Sequence, residues 1–362
     1  MAEITTRERV MNVYRGRVPD RIPIAIYTHY LPRGSEERTL RDMGVALLDV
    51  CPVTALAPPW KMDPGYVAEV RGADFDIRFD WENGERIETR TYATPLGVVK
   101  QRLRKDPTYE SDWVQEFYIK RREDYRIVQF LVENTVLRRN EAALRSRREA
   151  MGEDGVILGR VDRCPFQMLL VQLAGPERFL VDLQTDPDPV LSLLEALNRK
   201  MDEVFEIVSE SEIQVVWEPA QISGDMTPPK YFERFCLPYY AKHAAQLHER
   251  GKLYLVHMDG RLRSLQKAIG RTPIDVVESF SLPEVGGDLP LVEACAAWPD
   301  KAVVANFPSS LAVLDEAATM RFLDGLREEV ERKRPFMLQI SEDLPAGTWR
   351  HLLPLMCARL QR

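Results

Sequence analysis

Short apolar runs recur along the chain, each closed by polar residues and followed by a segment of helical period. They are Ile22–Tyr27, Val45–Val50, Val156–Val161, Ile213–Trp217, Leu253–His257, Ile274–Val277, Ala302–Ala305 and Phe336–Ile340. A run of this length, bounded by turn residues, reads as a buried strand. The helical segments between them are clear in places. Leu191, Leu194, Leu197, Met201, Val204 and Val208 keep a 3.6-residue period, and Pro229–Arg250 forms a long helix. Strands alternating with helices imply a parallel sheet. Eight such units in one chain predict a (β/α)8 TIM barrel. A doubly wound open sheet is the alternative, disfavoured because no Gly-rich phosphate turn follows any strand.

One stretch breaks the rhythm. From about residue 66 to 104, apolar and polar positions alternate through Val67, Val70, Phe75, Ile77, Phe79 and Trp81. Asn83-Gly84 interrupts them, and Ile87, Thr89, Thr91 and Tyr92 follow. Asn-Gly between alternating runs is a hairpin signal. Thr94-Pro95-Leu96-Gly97 makes a further turn. The expectation is one barrel domain over residues 1–362, carrying an antiparallel β-hairpin insertion after the second strand.

In a parallel barrel, the residues just past each strand converge on one mouth. Here they are His29, Asp162, Arg163, Glu218, His257, Asp259, Glu278, Asn306, Glu342 and Asp343. The stretch KLYLVHMDGRLR stands out. Residues two apart on a strand share a side, so His257 and Asp259 should project together, with Gly260 allowing the chain to turn. Imidazole, carboxylates, an arginine and an amide suit metal binding or acid–base work. Each carboxylate also has a plainer use as a helix cap, and capping is favoured for Asp343. No GxSxG elbow supports a serine nucleophile.

Composition narrows the classes. Hydrophobic content of 45% and charged content of 29% are those of a globular protein. A net charge of −7 gives no reason to expect nucleic acid. No run approaches the roughly 20 apolar residues of a membrane span. MAEITTRERV lacks the apolar core of a signal peptide. Five scattered cysteines, Cys51, Cys164, Cys236, Cys295 and Cys357, argue against a disulfide framework. The expectation is a cytoplasmic protein.

Seven segments together resemble the uroporphyrinogen decarboxylase superfamily, closer to its methyltransferase-like and uncharacterised branches. They are RERVMNVYRGRVPDRIPI, TPLG, WEPAQISGDMTPPKYFERFCLPYY, LVHMDG, IDVVESFSLPEVGGDL, ANFPSSL and ISEDLPAGTWRHLL. The resemblance implies a (β/α)8 barrel with its site at the C-terminal mouth. The tetrapyrrole-binding arginines of true uroporphyrinogen decarboxylases are missing. IYTHYLPRG keeps Tyr30-Leu31-Pro32 and offers only Arg33, too little for a substrate with many carboxylates. The methyltransferase branch holds zinc with a His-x-Cys pair after the fifth strand and a cysteine after the eighth. Those positions carry His257, Asp259 and Glu342 here. Carboxylates in place of thiolates still suit zinc, and admit manganese, iron or magnesium.

What the resemblance implies is a metal-assisted methyltransferase or demethylase acting on a small methylated substrate. His257, Asp259 and Glu342 would hold zinc or another divalent metal. Glu218, Glu278 and Arg163 are the catalytic candidates, and His29, Tyr30 and Asn306 the substrate-binding ones. A corrinoid would sit on a partner protein, since no DxHxxG motif occurs in this chain. The family also implies a homodimer. Two alternatives remain at this level: a metal-free decarboxylase or lyase on a small carboxylic acid, using His257 and Arg163, and a non-catalytic ligand-binding barrel.

Overall fold

The computed structural model describes residues 4–55, 69–106, 112–330, 334–345 and 347–361. Two compact units emerge, one of residues 1–53, 141–161 and 208–362, the other of residues 54–140 and 162–207.

The first unit is the barrel. Its strands are Ile24–Tyr27 (β1), Ala46–Pro52 (β2), Gly155–Arg160 (β3), Val215–Glu218 (β4), Leu253–His257 (β5), Val276–Phe280 (β6), Ala302–Asn306 (β7) and Phe336–Ile340 (β8). They pair in parallel in that order, and β8 closes on β1. The barrel expected from the eight apolar runs is therefore the fold observed. Alternate residues fill its interior: Ala25 and Tyr27, Ala46 and Leu48, Val156 and Leu158, Val215 and Trp217, Leu255, Val276, Ala302 and Val304, and Met337. The first helix, Thr6–Tyr14 (α1), adds Val10, Met11, Val13 and Tyr14 to the same apolar cluster. Thr5 caps it, accepting from the Glu8 N–H while Glu8 accepts from the Thr5 N–H, a reciprocal capping box.

One strand departs from the sequence reading. The fifth βα unit was expected to lead into a strand Ile274–Val277 with Glu278 just beyond it. The strand instead runs Val276–Phe280, with Glu278 in its middle. Its register to β7 shifts between Val277 and Phe280, and Ser279 sits at φ +59°. An extra residue is accommodated as a bulge, so pairing continues past the expected end.

The second unit contains the insertion. Asp74–Glu82, Glu85–Thr94, Gly97–Lys105 and Asp112–Glu116 form a four-stranded antiparallel sheet in chain order. Asn83 and Gly84 both have positive φ, 50° and 80°, as a tight two-residue hairpin requires. The expected start of the insertion, Tyr66 to residue 68, lies outside the described residues. The same unit contains the helix Arg122–Glu133. Among the described residues, no helix is long and apolar enough to cross a membrane.

Candidate metal centre

The centre is built from β5, β6 and β8. On β5, Leu255 points into the barrel. His257, two residues on, follows it and stands at the strand's end with 15% of its side chain exposed. Gly260 turns the chain with φ +67°. Its N–H donates to Ser281 Oγ at 2.8 Å, tying the loop to the end of β6. On β8, Ile340 closes the strand and Ser341 and Glu342 follow.

His257, Asp259 and Glu342 come together. One potential ligand atom from each lies within 4.8 Å of the other two. His257 Nε2 is 3.8 Å from Glu342 Oε1. The opposite ring nitrogen, Nδ1, is 2.8 Å from Glu278 Oε2. Glu342 is half-exposed (47%) and accepts from Ser279 Oγ at 3.2 Å. One imidazole nitrogen and two carboxylates form a donor set of hard to borderline character, which fits a small divalent cation. The ring's second nitrogen on a buried carboxylate is the usual outer partner of a metal-binding histidine.

Glu278, one of the catalytic candidates, lies inside the barrel. It is fully buried. Oε1 accepts from Tyr27 Oη at 2.7 Å and Gln339 Nε2 at 2.8 Å, and Oε2 from Trp217 Nε1 at 2.9 Å as well as from His257. Burial pushes its pKa up, but the His257 charge and these donors outweigh it and hold the carboxyl below its usual range. For His257, burial favours the neutral ring, yet Glu278, Asp259 and Glu342 raise the imidazolium to about 9. Glu342 is pushed upward, chiefly by burial and then by Asp259 and Glu278 against the opposing pull of His257.

The other sequence candidates fall in several places. Glu218 is not brought to the mouth. It pairs in register with Val256, one residue short of His257, and neighbouring strand positions face opposite ways. Its fully buried carboxylate takes the hydroxyl of Tyr240 at 3.0 Å and that of Tyr254. Asn306 keeps inward parity on β7, and its Oδ1 accepts from the Ser341 N–H at 3.3 Å, beside Glu342. His29 is exposed and stacks on Tyr27, with ring centroids 5.3 Å apart. Tyr30 donates to the Ser341 carbonyl at 3.4 Å. Its phenol is pushed well up, first by burial and then by Asp343 and Glu342. Arg163 belongs to the second unit, where its N–H donates to the side chain of Asp162 at 2.8 Å.

Tyr27, Trp217, Gln339 and Ser279 were not singled out from sequence. For Gln339 a signal existed: it is a polar residue two positions after the inward Met337, within an otherwise apolar strand.

Residues 137–282 match the family model described as uroporphyrinogen decarboxylase (URO-D). A comparison with curated proteins gave no match. Among solved structures, a methyltransferase from Methanosarcina mazei superposes with a TM-score of 0.56 at 13% identity, over 99% of this chain and 98% of that one. A xylose isomerase domain protein from Planctomyces limnophilus reaches a TM-score of 0.39 at 10% identity, over 93% and 96% of the two chains. That second likeness carries no argument, and the first shows a shared fold. The chain is therefore a closed (β/α)8 barrel that resembles the uroporphyrinogen decarboxylase superfamily in sequence and a methyltransferase in fold.

Proposed function

We propose that this protein is a metal-assisted methyltransferase or demethylase acting on a small methylated substrate, with a corrinoid-carrying protein as its partner. The observation that carries the metal is the convergence of His257, Asp259 and Glu342 within 4.8 Å. The match to the family model and the likeness in fold to a methyltransferase support the reaction class.

In this reading His257 Nε2, Asp259 and Glu342 hold the ion, zinc or a harder divalent metal, and leave room for a further ligand. A metal held there would supply Lewis-acid polarisation of a substrate oxygen, nitrogen or thiol. Glu278, saturated by donors, keeps Nδ1 protonated and takes no part in proton transfer. Half-exposed Glu342 would be the ligand nearest solvent, and once on the ion its carboxylate would stay ionised. Tyr30, His29 and Asn306 border the same strand ends and would position the methylated group. The homodimer remains an expectation from the resemblance.

A metal-free reading is favoured by one observation, the buried Glu278 carboxylate 2.8 Å from His257 Nδ1, which holds the ring toward its protonated form. The ring would then be a general acid for decarboxylation or elimination on a small acid. Metal content of tag-free protein separates the two. About one equivalent in the wild type and none in His257→Ala supports the metal centre. No uptake by the wild type after exposure to zinc, manganese and iron salts leaves the acid–base reading. With the metal established, methyl transfer from methoxylated or methylamine compounds to a free corrinoid tests the reaction class.

A further inference from the structure

Glu278 is a carboxylate without access to substrate. It is fully buried, and each of its oxygens already takes two donors. A buried carboxylate with no counterpart would be costly. This one is compensated by groups drawn from four other positions around the barrel interior: Tyr27 on β1, Trp217 on β4, His257 on β5 and Gln339 on β8. Of these four, Tyr27, Trp217 and Gln339 are buried and His257 is part-exposed. The hydrogen bond by which Glu278 reaches the proposed ligands runs through that ring.

Gln339 contributes to this net only as a donor. Its Nε2 gives a hydrogen to Glu278, while its Oε1, also buried, has no hydrogen-bond partner among the described residues. The Trp217 ring lies between Tyr27 and His257, edge-on to each, at centroid distances of 5.9 and 6.2 Å. It therefore orients the imidazole by packing and the carboxylate by its N–H.

We infer that Tyr27, Trp217 and Gln339 are positioning residues that act through Glu278 on His257. They fix the carboxylate so that it receives the Nδ1 proton, and this turns Nε2 toward Glu342 as the ligand nitrogen. For its function the inference rests on the metal-centre reading. For the orientation of the ring it rests on these hydrogen bonds alone.

The barrel supplies its own control. Glu218 is equally buried and also takes tyrosine hydroxyls, but on the outward face of β4. Removing a hydroxyl there breaks the same kind of bond without touching His257.

The test compares Tyr27→Phe, Trp217→Phe and Gln339→Met with Tyr254→Phe. Zinc affinity is measured by competition with a chelator. In the metal-free protein, exchange of the His257 Nδ1 proton with solvent is followed on protein carrying 15N-labelled histidine. The expected result is weaker zinc binding in the three positioning variants, by up to about tenfold, the low end of the effect of losing a ligand's own outer partner. Their Nδ1 proton should also exchange faster. Tyr254→Phe should match the wild type in both, even where its thermal stability falls as far. Unchanged zinc affinity and unchanged exchange in Tyr27→Phe and Gln339→Met would overturn the inference. So would equal effects in Tyr254→Phe, which would mark the bonds as structural only. Should Gln339→Met or Trp217→Phe fail to fold, Tyr27→Phe, which removes a single oxygen, decides. Should the wild type take up no metal, the metal reading falls, and the exchange rates alone decide the positioning role.

Discussion

His257 and Glu278 set the pH behaviour of the metal-free site. The ring titrates at about 9 in the folded chain against 6.5 when free. Its contribution to stability is thus complete below about 6.5 and disappears as pH rises through 9. Glu278 is shifted down from 4.5, so its contribution is present above that value and is lost as pH falls through the lower folded one. The difference for His257 is on the order of 3 kcal/mol, shared with its partner. Urea midpoints of metal-free protein should therefore fall between pH 6.5 and 9, and His257→Gln should flatten that slope. A wild-type midpoint that stays level over the same range would count against the ion pair. A divalent metal must displace the Nε2 proton, so its affinity should rise with pH up to about 9. At this scale the sequence spoke clearly where one strand gave the answer: His257 and Asp259 lie two apart, and both reach the centre. It spoke less clearly where neighbouring strands had to be aligned. Glu218 looked like Glu278 in sequence, each an acid at the end of an apolar run. Its register with Val256 turned it outward.

At the scale of elements, the bulge in β6 is what joins the two halves of the centre. Ser279 takes φ +59° and is fully buried. Its hydroxyl lies 2.8 Å from that of Ser341 and donates to Glu342 at 3.2 Å. A residue other than glycine pays about 1–2 kcal/mol in that conformation. Ser279→Ala keeps the strain and loses the hydrogen bonds, so it should destabilise by about 1–2 kcal/mol. Ser279→Gly loses the same bonds but relieves the backbone, and its urea midpoint should stay near that of the wild type. Both variants release Glu342 and should weaken metal binding alike. Equal destabilisation by the two would show that the bulge stores no strain. Nothing local in ESFSL announces a bulge. It shows only in the pairing of β6 with β7, where the register shifts between Val277 and Phe280, and that is a property of the pair. The hairpin at Asn83-Gly84 is the opposite case: its geometry is written in two residues, and the sequence alone placed it.

For the whole molecule, the proposed ligand atoms come from the ends of β5 and β8 in one closed barrel, so a bound ion would link segments far apart in the chain. An ion that binds only the folded state stabilises by about 2.7 kcal/mol at a hundredfold excess over its Kd. Melting of the metal-free protein should shift upward on adding the preferred metal, and His257→Ala should melt at the same temperature with and without it. An equal shift in that variant would mean that the metal binds elsewhere. The closed barrel itself was determined by the sequence. Eight apolar runs, each followed by a helical period, can bury their surfaces in few ways, and a parallel barrel is the one that suits them all. The sequence also determined which strand ends carry imidazole and carboxylate. Tertiary structure decided which of those groups face each other. That depends on strand register, on the parity of each residue and on one bulge, all set by packing between strands that lie far apart in the chain. The same packing drew Tyr27, Trp217 and Gln339 around Glu278. No local pattern joins them, because the only thing they share is the interior of the barrel.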